Sequence, residues 1–93
     1  MKKGDQIIYM PDHADGPNHS DCEFGFIMSL TSDGKGAFCR YWQKGSLGKL
    51  RTIANSERTD WRNLSNYQSV PQFVVENTID MIEDNPDIYG VTK

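Results

Sequence analysis

Short apolar runs separated by polar turns fill the first two-thirds of the chain. Residues 6–10 form the first run, which ends at a proline that cannot donate to a sheet. Residues 12–21 are polar, with Gly-Pro and Asx turn chemistry. Residues 22–30 form a second run around Gly25, and a glycine inside a strand indicates a bulge, a barrel corner or the close approach of another backbone. The pattern predicts two strands joined by a loop.

A second group of signals predicts a hairpin and two further strands. The dipeptide Asp33-Gly34 is typical of hairpin turns, and the apolar run of residues 37–42 follows it as a third strand. Residues 50–54 are predicted as a fourth strand and residues 64–67 as a short fifth. The intervening segments, residues 43–49 and 55–63, are predicted as loops.

The last third of the chain opens with the pattern of an amphipathic helix. Ser69 and Gln72 fit a capping box, and Pro71 is tolerated in a first turn, so we expect a helix over residues 70–83. Asn85-Pro86 ends it. The predicted apolar side consists of Val74, Val75, Thr78, Ile79, Met81 and Ile82.

Phe73 lies on the acidic side of this helix, among Glu76, Asn77 and Asp80. We expect it to act as a hydrophobic staple that joins the start of the helix to the sheet. The alternative is an exposed anchor for a partner protein.

The whole pattern predicts one mainly β domain with one C-terminal helix. The chain has 93 residues, of which 37% are hydrophobic and 25% charged, and these values suit a single small core. We expect one domain over residues 1–93, with a small five-stranded barrel over residues 1–67, a helix packed on it over residues 69–84 and a tail over residues 85–93.

Three segments resemble small barrels of the Src-homology and Tudor-like kind. They are Lys3-Gly4-Asp5-Gln6-Ile7-Ile8-Tyr9, Glu23-Phe24-Gly25-Phe26-Ile27 and Phe38-Cys39-Arg40-Tyr41. Residues 13–25 are also similar to a group of small uncharacterised bacteriophage proteins that share a His-x-x-Cys-Glu-x-Gly segment. The resemblance covers residues 1–65 and implies the barrel fold and a phage-type protein, without implying a biochemical activity.

Charge is distributed unevenly along the chain, whose net charge is −3. Residues 1–30 carry two cations and five anions, residues 31–62 seven cations and three anions, and residues 63–93 one cation and five anions. The middle third is therefore basic, and a local positive field of this kind attracts phosphate or carboxylate groups.

Aromatic residues lie among these cations and indicate a binding surface. Tyr41 and Trp42 are adjacent in a predicted strand, so we expect one of them to face outward and to offer a planar surface for stacking and cation–π contact. The alternative is that the ring fills the core and the cations, Lys35 among them, form a solvated face. The candidate partner-binding residues are Arg40, Tyr41, Trp42, Lys44, Lys49, Arg51, Arg58, Trp61, Arg62 and Phe73.

Four residues have the ligand types of a zinc site: His13, His19, Cys22 and Cys39. Their spacing differs from the close cysteine or histidine pairs of structural zinc sites, because Cys39 lies on a different predicted strand from Cys22. We therefore expect buried free thiols and no cofactor, and keep these four residues as the metal candidates.

No enzyme signature is present, since the chain lacks a phosphate loop, a serine elbow and a dinucleotide fingerprint. Cys22 lies between Asp21 and Glu23, which disfavours a thiolate nucleophile. We expect no catalytic residues.

The function we expect is stoichiometric binding of a host or phage protein, for example as an inhibitor of a host enzyme or defence complex. A chain with acidic ends is repelled by nucleic acid unless its basic region alone faces the duplex. The alternative is a single-stranded nucleic-acid-binding module that uses residues 35–62, and the third is a zinc-stabilised module.

The chain has no apolar run long enough to span a membrane and no apolar signal core, so we expect a cytoplasmic location in a bacterial host cell. The oligomeric state stays open.

Overall fold

One antiparallel sheet and two helices make up the part of the chain that the computed structural model describes, residues 1–51 and 56–89. The mainly β fold with a C-terminal helix is therefore confirmed. The strands are β1 Gln6–Tyr9, β2 Glu23–Leu30, β3 Gly36–Gln43, β4 Ser46–Leu50, β5 Glu57–Asp60 and β6 Leu64–Asn66. The helices are α1 Gln72–Asp84 and α2 Pro86–Tyr89, and a 3₁₀ helix over Trp61–Asn63 joins β5 to β6.

The sheet is strongly curled. Its strand order is β4-β3-β2-β1-β6, and β5 pairs with β3, so that β5 and β6 lie at opposite sides of the sheet. Four strand spacings of a flat sheet amount to about 19 Å. The three residues of the 3₁₀ helix, which rise about 6 Å, nevertheless connect these two strands. Only a curled sheet brings its sides close enough for this connection.

β4 and β5 pair with the same edge of β3 at different positions. Trp42 and Gln43 pair with β4, and residues 36–39 pair with β5. The described residues therefore contain six strands, where the sequence predicted five. The predicted strand over residues 50–54 is found only at Leu50, which ends β4, and residues 52–55 lie outside the described residues.

The two predicted loops are wrong at residues 46–49 and 57–60, which belong to strands. Gly45 has a φ of 78°, which lets the chain turn tightly between β3 and β4. β5 is rich in charged residues, and its own composition does not favour a strand. It forms because the backbone groups at the edge of β3 need partners, a tertiary requirement that outweighs local preference.

β2 and β3 are the central pair of the sheet, and Gly25 lets their backbones approach. A Cβ atom at Gly25 would lie 2.0 Å from the carbonyl oxygen of Arg40. Of the three predicted reasons for a glycine here, a bulge, a barrel corner or close approach of another backbone, the contact with β3 supports the third. The register shift of β2 lies further along, between Ile27 and Ser29.

The two faces of the sheet cover two separate apolar cores. We call the first the helix-side core, because it lies between the sheet and α1; its buried members are Phe26, Met28, Trp42, Val70, Val75, Ile79 and Ile82. We call the second the inner core, since the curled sheet encloses it; its buried members are Ile7, Ile27, Ala37, Cys39, Tyr41 and Leu64. Both faces of β3 are therefore buried.

α1 buries the side that its periodicity predicts. Val75, Thr78, Ile79 and Ile82 are buried, whereas Met81, at the margin of the predicted apolar side, is 42% exposed. Full burial of an aliphatic side chain of this size contributes about 1.5–3 kcal/mol. Packing on the sheet therefore holds the helix in place.

The predicted capping box is wrong, because Gln6 of β1 takes over its role. α1 begins at Gln72 after Pro71, with no side-chain cap, and the hydroxyl of Ser69 is buried without a partner in the described residues. The side-chain oxygen of Gln6 accepts hydrogen bonds from the backbone N–H groups of Ser69 and Val70, each at 3.1 Å. Its amide nitrogen donates to the carbonyl of Val70 at 2.8 Å and to the side chain of Gln72 at 3.0 Å. One buried amide thus ties the start of the helix to the sheet.

The chain turns sharply at Asn85, as the Asn-Pro signal predicts, and continues as the short α2. Tyr89 packs against the helix-side core, whereas Ile88 is 58% exposed. Among the described residues, no helix has the length and apolar composition that a membrane crossing requires.

Replacement of Gln6 by Met keeps the length of the side chain and removes its hydrogen-bonding amide. Two backbone N–H groups and one carbonyl at residues 69 and 70 then lose their partners, and we expect the free energy of unfolding to fall by about 3 kcal/mol. Urea unfolding measures this loss. Gln68→Met, at an exposed position, is the matched control, with an expected change within about 0.5 kcal/mol. Equal effects of the two variants would contradict the role given to Gln6.

Replacement of Gly25 by Ala places a methyl group against the backbone of β3. The strands must separate, and we expect a loss of about 3 kcal/mol or more in the free energy of unfolding. Gly16→Ala serves as the control, since a Cβ atom there has no neighbour within 4 Å. A Gly25→Ala protein as stable as the control would show that β2 and β3 are not packed this closely.

Candidate protein-binding surface

The central part of the predicted basic aromatic surface is buried. Arg40 is 2% exposed, Tyr41 4% and Trp42 1%. The expectation that either Tyr41 or Trp42 faces outward is wrong, because Tyr41 joins the inner core and Trp42 the helix-side core. Alternation along the strand places the two rings on opposite faces as expected, but both faces are covered.

Arg40 is a structural residue on the same side of β3 as Trp42. Its Nε donates to the hydroxyl of Ser56 at 3.0 Å, and a terminal nitrogen donates to the carbonyl oxygen of Tyr89. Burial lowers the pKa of this guanidinium. Arg40 therefore links β3 to the C-terminal end of α2.

Tyr41 and Cys39 are also structural residues of β3, and both are buried in the inner core. The hydroxyl groups of Tyr41 and Thr59 share a hydrogen bond of 2.8 Å across the inner core. Burial raises the pKa of Tyr41, and it raises the pKa of the Cys39 thiol to about 11. Both groups stay protonated at neutral pH, as buried structural side chains do.

Carboxylates of the same domain neutralise the exposed arginines of the basic region. Arg51 forms ion pairs with Glu23 at 2.9 Å and with Glu57, and its guanidinium also lies 5.7 Å from the centre of the Tyr41 ring. Arg62 lies 3.7 Å from Asp12. Such exposed pairs contribute little to stability, but they reduce the positive field around the arginines.

Arg58, on β5, contacts the turn of the hairpin between β2 and β3. It forms ion pairs with Asp33 at 2.8 Å and Asp60 at 2.7 Å, and both carboxylates raise its pKa. Hydrogen bonds from the Thr31 hydroxyl and the Lys35 N–H, with help from Arg58, lower the pKa of Asp33 to about 2. Arg58 therefore stabilises the turn of the confirmed hairpin through its ion pair with Asp33.

The remaining members of the predicted basic aromatic set are scattered. Trp61 is partly buried and donates from its indole to the carbonyl of Gly34 at 3.0 Å, and Lys44 donates to the carbonyl of Ser20 at 2.6 Å. Within the described ranges, Lys35 and Lys49 are the cations of this region without such a side-chain contact. The structure therefore does not assemble one open basic surface.

Phe73 lies on the outer side of α1 and is 62% exposed. It packs against neither core, so the predicted hydrophobic staple is wrong. Its exposure is what the alternative, an anchor for a partner protein, requires. We call this side of the helix the acidic helix face. Its members are Phe73, Glu76, Asp80, Glu83 and Asp84.

The carboxylates of the acidic helix face are largely unpaired. Lys3 pairs with Glu83, whereas Glu76, Asp80 and Asp84 have no ion pair in the part of the chain that the structure describes. Glu83 and Asp84 lie in the last turn of α1, which contains no basic residue of its own. Carboxylates at a helix C-terminus oppose the helix dipole and cost about 0.3–1 kcal/mol each. The carboxylates of Glu76, Asp80 and Asp84 therefore make no ion pair within the described residues that would offset such a cost.

A groove of about 770 Å³ runs beside the acidic helix face. Gln72, Glu76, Ile79 and Asp80 of α1 line one side of it, and residues 2–6 and 66–68 line the rest. Tyr67, which is 46% exposed, adds a second aromatic ring to this region. An exposed aromatic residue beside a groove is typical of the centre of a protein-binding surface, and charge around it steers the approach of a partner. The helical pattern of the sequence identifies Phe73 and its acidic neighbours. It contains no signal for the groove, because residues distant in the chain form it.

The metal candidates fall into two groups. His13 and His19 come together in the loop between β1 and β2, with Asp21, a residue outside the predicted set. Asp21 follows His19 by two residues, and this short spacing is the signal that could have identified it. Cys22 and Cys39 are both buried and free, and Cys39 pairs with Ile27, five positions beyond Cys22. The structure therefore does not bring the two cysteines together.

We compared the chain with protein-family models, with curated protein sequences and with solved structures, and none of the three comparisons gave a match.

Proposed function

We propose that this chain is a small binding protein that acts by stoichiometric protein–protein interaction through the acidic helix face and the groove beside it. The partner presents lysine or arginine side chains around an apolar pocket that accepts Phe73. The proposed activity is binding, without catalysis.

The exposure of Phe73 beside unpaired carboxylates is the observation that carries this proposal. A phenylalanine that is 62% exposed and packs against neither core contributes little to folding. Unpaired carboxylates around it attract a basic partner over a distance, while the ring supplies apolar area at the centre of the contact. The cations of the chain cannot offer a comparable surface, because most of them are bound within the domain.

The resemblance to bacteriophage proteins supports a more specific proposal for the partner. On this proposal the protein acts in the cytoplasm of a bacterial host cell and binds a host or phage protein, for example as an inhibitor of a host enzyme or defence complex. Such an interaction needs an accessible surface and no catalytic residues, and the acidic helix face meets that need.

We also propose that the curled sheet is a small barrel of the Src-homology or Tudor-like kind. Two features support this fold. β4 and β5 share one edge of β3 and together fill the position of a single strand, which restores a count of five. A 3₁₀ helix connects β5 to β6, and β6 pairs with β1.

Substitution of Phe73 by Ala tests the proposed surface. We expect the variant to unfold at nearly the wild-type urea concentration, because the ring is exposed, and to bind its partner at least about 30-fold more weakly, as loss of an aromatic anchor of about 2 kcal/mol predicts. Affinity capture from a bacterial lysate, with quantitative mass spectrometry, identifies the proteins that bind wild type and not Phe73→Ala. Leu30→Ala, at a position that is 50% exposed outside this surface, is the matched control.

A second pair of variants examines the charge. Glu76→Gln and Asp80→Asn should each weaken binding of the captured protein, mainly through a slower association rate, and the loss should shrink at high salt. A partner that binds wild type, Phe73→Ala and the two charge variants equally well would show that the interaction uses another surface.

The nucleic-acid alternative makes the opposite prediction. A single-stranded binder uses exposed cations and stacking rings, and the rings of Tyr41 and Trp42 are buried here. We expect no change in the fluorescence anisotropy of a labelled single-stranded oligonucleotide at low salt, where cationic contacts are strongest. Saturable binding that Lys49→Gln weakens would instead favour the surface over residues 35–62.

A further inference from the structure

Two imidazoles and a carboxylate converge in the loop between β1 and β2. One ring nitrogen each of His13 and His19 and one carboxylate oxygen of Asp21 lie within 4.8 Å of one another. Nε2 of His13 is 2.6 Å from Oδ2 of Asp21, and the two imidazole rings are 5.2 Å apart at an angle of 79°. These are the only two histidines of the chain.

Backbone hydrogen bonds fix the part of the loop that carries His19 and Asp21. The N–H of His19 donates to the carbonyl of Gly16 at 3.2 Å, and the N–H of Cys22 donates to the carbonyl of His19 at 3.0 Å. The thiol of Cys22 also donates to the carbonyl of Gly16, at 3.4 Å, which occupies that thiol within the loop. Lys44 of the neighbouring turn holds the carbonyl of Ser20. The backbone that carries two of the three ligand groups is thus held in place before any ion binds.

The spacing of the three groups is close to that of metal ligands. Ligand atoms around a tetrahedral ion at about 2.0–2.1 Å lie about 3.3 Å apart. The His13–Asp21 contact would have to widen from 2.6 Å, and rotation of exposed side chains suffices for this. His13 is 62% exposed and Asp21 55%, so an ion can enter directly from solvent.

Binding exchanges two existing hydrogen bonds, the one between His13 and Asp21 and a second at His19, for metal bonds. The N–H of Asp21 donates to Nδ1 of His19 at 3.0 Å. A neutral imidazole has a single lone pair, so a metal ion on His19 replaces this bond, and the exposed N–H of Asp21 then binds water. Water occupies the remaining coordination positions.

We propose that His13, His19 and Asp21 bind one divalent transition-metal ion, with Zn²⁺ as the ion that fits the donor set best among those abundant in cells. Two imidazoles and one carboxylate suit Zn²⁺ and related ions, and they discriminate against Mg²⁺ and Ca²⁺, which prefer all-oxygen sites. The site lies in the loop and involves neither cysteine. It is independent of the acidic helix face.

Isothermal titration calorimetry of chelator-treated protein with Zn²⁺ alone tests the proposal. We expect binding of one ion per chain, and His13→Gln and Asp21→Asn should each lower the affinity more than about 10-fold. Asp15→Asn is the matched control, since Asp15 is an exposed carboxylate of the same loop outside the cluster. Circular dichroism verifies that each variant keeps its fold.

Two spectroscopic measurements identify the ligands. Both histidine side chains should shift in the NMR spectrum on addition of Zn²⁺, and Co²⁺ should give d–d bands without a thiolate charge-transfer band. Absence of Zn²⁺ binding, equal affinity of wild type and Asp21→Asn, or a thiolate band would each overturn the proposal. The outcome for Phe73→Ala does not bear on it.

Discussion

The central strand β3 must be covered on both faces and paired along both edges, and the rest of the fold meets this requirement. β2 pairs with one edge, while β4 and β5 together pair with the other. The curled sheet covers one face with the inner core, and α1 covers the opposite face with the helix-side core. A small domain buries only a limited fraction of its surface. Because β2 and β3 contribute side chains to both cores, the two strands bury both of their faces.

This constraint explains which features could be predicted from the sequence. The hairpin between β2 and β3 and the buried side of α1 depend on nearby residues, and turn chemistry and helical periodicity identify them. β5 and the start of α1 depend on distant residues. β5 follows from the unpaired edge of β3, and the amide that caps residues 69 and 70 comes from Gln6, at the opposite end of the chain. Local propensity contains no signal for either.

The candidate surface was predicted in part, for the same reason. The uneven charge along the chain is a real property of the sequence, but folding brings anions from other segments to the basic region. Asp12 and Glu23 both come from the first third of the chain and pair with arginines of the middle third. The acidic residues of α1 meet few cations, because the described tail beyond the helix has none and the outer side of the helix faces solvent. The distribution of charge along the chain therefore predicted a basic exposed surface, whereas most of the unpaired charge described above is acidic.

The candidate residues are here selected by bonding capacity that the fold leaves unused, and not by chemical character alone. Arg40, Tyr41 and Trp42 have the side chains that binding sites favour, yet the fold uses them for packing and for internal hydrogen bonds. The acidic helix face shows the reverse: of its four carboxylates only Glu83 has an ion pair within the described residues, Asp84 opposes the helix dipole, and its phenylalanine packs against neither core. A helix that only had to pack on the sheet would tolerate lysine at residue 84, with a gain in stability. On the function proposed above, the carboxylate at this position belongs to the surface that meets a basic partner.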